Sequence, residues 1–90
     1  MNRIVLFTDP HCPPCGMVKR YFDNVKDKRI EDVEHINLYD NVEFAHKYGA
    51  RETPTLVVIN DMGGILDRFH GGYEITQNIR RILEEYHDLS

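Results

Sequence analysis

The chain has 90 residues, 41% of them apolar, with 15 acidic and 11 basic side chains, two cysteines, no tryptophan and a net charge of −4. That length predicts one domain, 1–90, burying a little over ~60% of its unfolded surface around one core without disulfide staples or a structural metal. The apolar runs fall far short of the ~20 residues of a membrane-spanning helix, the opening Met1 to Phe7 lacks a cleavage-site pattern and so points to the cytosol, and mostly scattered cations do not suit a phosphate backbone.

In chain order, Arg3 to Thr8 is a continuous apolar run ended by Asp9-Pro10, as expected of a central parallel strand covered on both faces. From Cys15, the residues Met17, Val18, Tyr21, Phe22 and Val25 recur at helical spacing, so a helix begins near the cysteines. Asp32 to Leu38 mixes Val33, Ile36 and Leu38 with polar neighbours, which suits an outer strand. Asp40 with Glu43 predicts a capped helix start, and Phe44, Ala45 and Tyr48 predict a short helix that Gly49 ends in a left-handed turn. Thr55 to Ile59, the turn Asn60 to Gly64 and Ile65 to Phe69 read as a β-hairpin. Gly71-Gly72 breaks the chain before a last helix that carries Ile75, Ile79, Ile82, Leu83 and Tyr86 on one stripe and runs to the end. The order βαβαββα predicts an α/β fold with two right-handed crossovers, one hairpin and a four-stranded mixed sheet with helices on both faces.

Both cysteines lie in His11-Cys12-Pro13-Pro14-Cys15, where the first strand delivers the chain into a helix. Residues three apart share a face of a helical turn, so the sulfurs can meet and cycle between dithiol and disulfide. Cys12 stands at the helix start, where the macrodipole and unpaired amides favour the attacking thiolate, while Cys15 lies one turn inside and resolves the mixed disulfide. Pro13 and Pro14 carry no N–H, so that stabilisation of the thiolate is weakened. A purely structural bond closing so small a loop would stabilise little. A structural zinc site wants four ligands, and beyond this pair only His11, His35, His46, His70 and His87 are on offer besides carboxylates.

Tyr48 to Leu56, including Thr53-Pro54, resembles the segment that carries the cis-proline of thioredoxins, and Cys12-Pro13-Pro14-Cys15 resembles their active-site loop. The chain thus resembles the thioredoxin/glutaredoxin family over nearly its whole length, without the extra N-terminal strand and helix of full-length thioredoxins. The resemblance implies the minimal thioredoxin fold and a monomeric thiol-disulfide oxidoreductase that reduces protein disulfides. It implies no bound cofactor beyond the Cys12-Cys15 disulfide, with electrons from NADPH through a thioredoxin reductase or from glutathione. It also implies a cis Thr53-Pro54 bond, Pro54 facing the cysteines, and a substrate segment that pairs with the backbone of Thr53 by strand addition.

Departures from the family pattern are specific. His11 stands where a tryptophan is common, and it is either a partner of the Cys12 thiolate or a solvated loop residue. Leu6 replaces a buried aspartate and His35 its lysine partner, which leaves the proton acceptor of Cys15 open among solvent, the departing thiolate and a histidine. Gly71-Gly72-Tyr73-Glu74 resembles the glutathione-holding double glycine of glutaredoxins, yet a tight turn capped by Glu74 explains the same residues. The substrate surface is accordingly expected at His11, Pro13, Thr53, Pro54, Gly71 and Gly72, with glutathione-dependent reduction or a non-catalytic binding module as the alternatives.

Overall fold

A computed structural model describes residues 1–88; the final two positions of the expected domain and of the expected last helix lie outside the described residues. The elements are β1 (Arg3–Thr8), α1 (Pro13–Asp23), a 3₁₀ turn (Lys28–Asp32), β2 (Glu34–Asn37), α2 (Val42–Lys47), β3 (Thr55–Ile59), β4 (Ile65–His70) and α3 (Gly72–Tyr86). They build one sheet in the order β2-β1-β3-β4. β1 runs parallel to β2, from Val5 opposite Glu34 to Thr8 opposite Asn37, and antiparallel to β3, which is antiparallel to β4. Only the first of the two expected crossovers therefore joins parallel strands. The second, through α2, steps over β1 and returns the chain in the opposite direction, a choice that no local apolar pattern encodes.

The alternation of side chains along β1 and β3 sorts the interior into two layers. Leu6 and Leu56 face α1 and α3, where they meet Val18, Phe22, Ile75 and Ile79. Val5, Phe7 and Val57 face α2, where they meet Ala45 and Tyr48. Because both faces are covered, β1 and β3 tolerate apolar residues at every position, which is why they read as unbroken runs. The stripe on α3 is as expected, with Ile75, Ile79, Ile82 and Leu83 fully buried.

The start of α2 departs from its expectation. Its cap position is Asn41, whose side chain makes no capping bond, and the Asp40–Glu43 spacing does not form the expected cap. The loop is organised from upstream instead: the Asn37 side-chain oxygen accepts from the N–H groups of Tyr39 and Asp40, and the Asn41 amide donates to the Asn37 carbonyl. At the other end, Gly49 takes a φ of 78°, the left-handed turn foreseen for it.

The 3₁₀ turn has no apolar period to announce it. Asp27 holds it by accepting from the Arg29 N–H at 3.0 Å and pairing with the Arg29 guanidinium at 2.6 Å. These bonds, the side-chain pairing first, hold the Asp27 carboxyl at about 2, below its ordinary range. A carboxylate held low in the folded chain adds stability above its unfolded pKa of ~3.9, and that contribution fades as pH falls towards about 2. Urea midpoints measured between pH 2 and 5 should therefore drop less steeply with acid in Asp27→Asn than in the wild type. Beside this turn the two ends of the described chain are clasped. The Asn2 N–H donates to the Asp88 carboxylate at 2.6 Å, the Asn2 amide donates to the Tyr86 carbonyl at 3.0 Å, and His87 Nε2 lies 2.6 Å from an Asp32 oxygen.

Candidate active site

Strand direction gathers the site. β1 ends at Thr8 and leads to Asp9–Cys12, and β3, running the other way, starts with Thr55 opposite Phe7. β4 ends with His70 opposite Thr55. The segments 9–12 and 53–54 and the β4–α3 junction at 70–72 thus lie at the same end of the sheet, and they carry His11, Cys12, Thr53, Pro54, Gly71 and Gly72, with Pro13 and Cys15 following at once in α1.

The cysteine loop is ordered by its own backbone. The Asp9 carbonyl accepts from the Cys12 N–H at 3.1 Å, and the Asp9 side chain accepts from the His11 N–H at 3.1 Å. Asp9 thus positions the cysteine loop, a role whose one sequence signal is that Asp-Pro directly after an apolar strand marks a turn. Cys12 is the cap residue of α1, with Pro13 and Pro14 in the first two helical positions. Its sulfur is disulfide-bonded to Cys15 across a Cα–Cα distance of 5.2 Å, well inside the bridgeable range. The two ends of the bond are unequal: Cys12 is half-buried, whereas Cys15 is 2% exposed.

One amide serves the Cys12 sulfur directly. The Cys15 N–H lies 3.1 Å from Cys12 Sγ and 3.1 Å from the Cys12 carbonyl. The prolines offer nothing, and the Gly16 N–H is engaged by the Cys12 carbonyl at 3.3 Å. Restoring a donor should favour the thiolate. In the reduced protein, Pro13→Gly is expected to raise the rate of Cys12 alkylation by iodoacetamide at mildly acidic pH several-fold, as followed by mass spectrometry; an unchanged rate would count against control by the amide.

The Thr53-Pro54 bond is cis, as expected, and Pro54 is buried while Thr53 is half-buried. The Gly71 N–H donates to the Pro54 carbonyl at 2.9 Å, which ties this turn to the start of α3. Gly71 adopts φ 88° and ψ 155°, a region open essentially to glycine alone. Gly72 lets α3 approach α1: a Cβ there would lie 2.6 Å from the Met17 terminal methyl and 3.7 Å from Pro14 Cβ. Glu74 Oε2 accepts from the His70 N–H at 3.4 Å. Backbone conformation and helix packing therefore account for both glycines without a glutathione. Among the described residues, no three His, Cys, Asp or Glu side chains gather as a metal set.

A family model described as a thioredoxin-like domain matches residues 2–87. The chain belongs to the thioredoxin-like family. It is 37% identical over 62 residues to a thioredoxin of Methanocaldococcus jannaschii, across 67% of this chain and 73% of that one. Its fold is similar to that of Fasciola hepatica thioredoxin, at 30% identity with a TM-score of 0.73 over 94% of this chain and 80% of that one. It is also similar to a mutant thioredoxin from Halobacterium salinarum, at 25% identity with a TM-score of 0.76 over 99% and 77% of the two chains. Family membership and the paired cysteines make this thioredoxin-like protein a dithiol-disulfide oxidoreductase whose redox group is the Cys12-Cys15 disulfide, needing no prosthetic group.

Within this thioredoxin-like frame, Leu6 and His35 are neighbours across β1 and β2. Leu6 is fully buried, and among the described residues the buried polar or charged side chains are all threonines, so none of the buried residues is an acid. The His35 ring meets Phe22 edge-on, and desolvation there, with Lys19 nearby, pushes its pKa down against an opposing pull from Asp23. The ring of His11 lies on the exposed loop and makes no hydrogen bond among the described residues.

Proposed function

We propose that the chain acts as a cytosolic reductant of exposed protein disulfides, with Cys12 as the attacking and Cys15 as the resolving thiol. The observation that carries this reading is the unequal burial of the pair, since a substrate sulfur can reach half-buried Cys12 but not Cys15 at 2% exposure. The Cys12 thiolate attacks one sulfur of the substrate disulfide; a mixed disulfide forms, and the other substrate sulfur leaves as a thiolate and takes up a proton. Deprotonated Cys15 then attacks Cys12 Sγ, closing the Cys12-Cys15 bond and releasing the second substrate thiolate, which is protonated in turn. Two electrons and two protons pass to the substrate. His11, Pro13, Thr53, Pro54, Gly71 and Gly72 form the substrate surface in this reading, with the Thr53 backbone pairing to an extended segment.

The oxidised protein is recycled by an NADPH-dependent thioredoxin reductase. The conformational and packing reasons for Gly71 and Gly72 weigh against glutathione as the electron source. Turnover of a protein disulfide substrate with reductase and NADPH, but not with glutathione alone, is the expected result. Turnover sustained only by glutathione would replace the reading with a glutaredoxin-type one, and function retained by a double Cys-to-Ser variant would replace it with a binding module.

A further inference from the structure

Beside the redox site, α1 and α3 leave a groove of about 350 Å³ lined by Met17, Arg20, Tyr21, Asn24, Val25 and Arg80. Met17 and Tyr21 lie one turn apart on α1 and form an apolar rail along it, and Val25, just past the end of the helix, closes the groove at that side. Met17 and Tyr21 remain 43% and 42% exposed. The rail starts at the active site, because Met17 is also the residue against which Gly72 packs. Its charged members are both cations. Neither Arg20 nor Arg80 enters an ion pair among the described residues, and no acid lines the groove. This occurs in a chain whose net charge is −4, and the larger groove between α1 and the 3₁₀ turn, by contrast, balances Lys19, Lys26 and Lys28 with Asp23, Asp27 and Glu31.

We propose that the α1–α3 groove docks an acidic segment with an apolar side chain, carried by the protein whose disulfide Cys12 attacks. The apolar side chain lies on the Met17–Tyr21 rail, where the flexible methionine adapts to its shape. Arg20 and Arg80 reach its flanking carboxylates from two different helices, in the paired geometry that guanidinium favours. The proposal rests on the reading of the protein as a disulfide reductase, and it adds a choice among substrates: partners with such a segment next to their disulfide are reduced first.

The test uses two synthetic peptides that share one disulfide-closed loop, one with a Glu-Glu-Phe-Glu-Glu tail and the other with a Ser-Gly tail of equal length. Single-turnover reduction by the pre-reduced chain is followed by quenching and chromatography. At low salt the acidic peptide should react about tenfold faster, and the advantage should shrink to about twofold near ~0.5 M salt, as surface charges are screened. In Arg20→Ser/Arg80→Ser the ratio of the two rates should approach one, whereas Lys26→Ser, outside the groove, should keep the wild-type ratio. The rate on the Ser-Gly peptide reports whether each variant is folded. Equal rates for both peptides with the wild type would overturn docking while leaving reduction in place. A preference that survives in the double arginine variant, or is lost equally in Lys26→Ser, would overturn the groove as its seat. Failure to reduce either peptide would overturn the reductase reading instead.

Discussion

Cys12→Ser is expected to abolish disulfide reduction, by at least roughly 10³-fold, because a serine hydroxyl at this position is no substitute for a thiolate nucleophile. Cys15→Ser should fail differently. Cys12 would still attack, since this residue is only half-buried, which leaves a substrate room to approach. The adduct would persist, because the neighbour held at a Cα–Cα distance of 5.2 Å can no longer displace it. That second step is intramolecular in the wild type, and external thiols do not match its effective concentration. Non-reducing electrophoresis and intact mass should show a stable one-to-one adduct with a protein disulfide substrate in Cys15→Ser and none in Cys12→Ser. The reverse pattern would exchange the two roles.

The largest expected effect on stability comes from Leu6→Asp, which puts a carboxyl where the thioredoxin pattern has one and this chain does not. Leu6 is fully buried in the layer that also holds Val18, Leu56, Ile75 and Ile79. Losing its packing alone costs about 2–5 kcal/mol. The new carboxyl adds a desolvation penalty that would raise its folded pKa above the unfolded ~3.9. Against a total stability of about 4–13 kcal/mol for a chain of this size, the combined loss is a large fraction. The sign of its pH dependence is diagnostic. Well below pH ~4 the acid is protonated in both states, and the packing loss and the burial of a neutral carboxyl remain; as pH rises from there to the folded pKa, the unfolded chain sheds its proton first and the deficit grows. Urea unfolding of both proteins between pH 3 and 8 should show the gap widening with pH. A constant gap would mean that the carboxylate finds solvent.

Much of this was legible in the chain because the deciding interactions are short-range or periodic. β1 and β3 announced themselves by unbroken apolar runs, α3 by its stripe, and the redox pair by a spacing that one helical turn converts into proximity. What escaped was held by other means. The 3₁₀ turn depends on one aspartate–arginine pair with no period to detect. The start of α2 looked capped because Asp40 and Glu43 have the right spacing, while the bonds that organise it come from Asn37. Strand direction at β3 depends on how α2 crosses the sheet. The bond from Gly71 to Pro54 joins segments that meet only through the β3–β4 hairpin, so each glycine could be noted but not its partner.

The clasp of Asn2 with Tyr86 and Asp88 sets the geometry of any tether. It lies at the opening end of β1, whereas the cysteine loop lies beyond the far end, after six strand residues. At ~3.3 Å per residue that separation is about 20 Å. An electron donor fused ahead of Met1 would therefore leave the redox face unobstructed, yet it could not touch that face through a short connection. A Gly/Ser linker, whose mean span grows as about 5–6 Å times the square root of its length, matches the gap at about 13 residues. Shorter linkers would hold the donor away from Cys12, and longer ones would dilute it, so the rate of internal electron delivery should pass through a maximum with linker length.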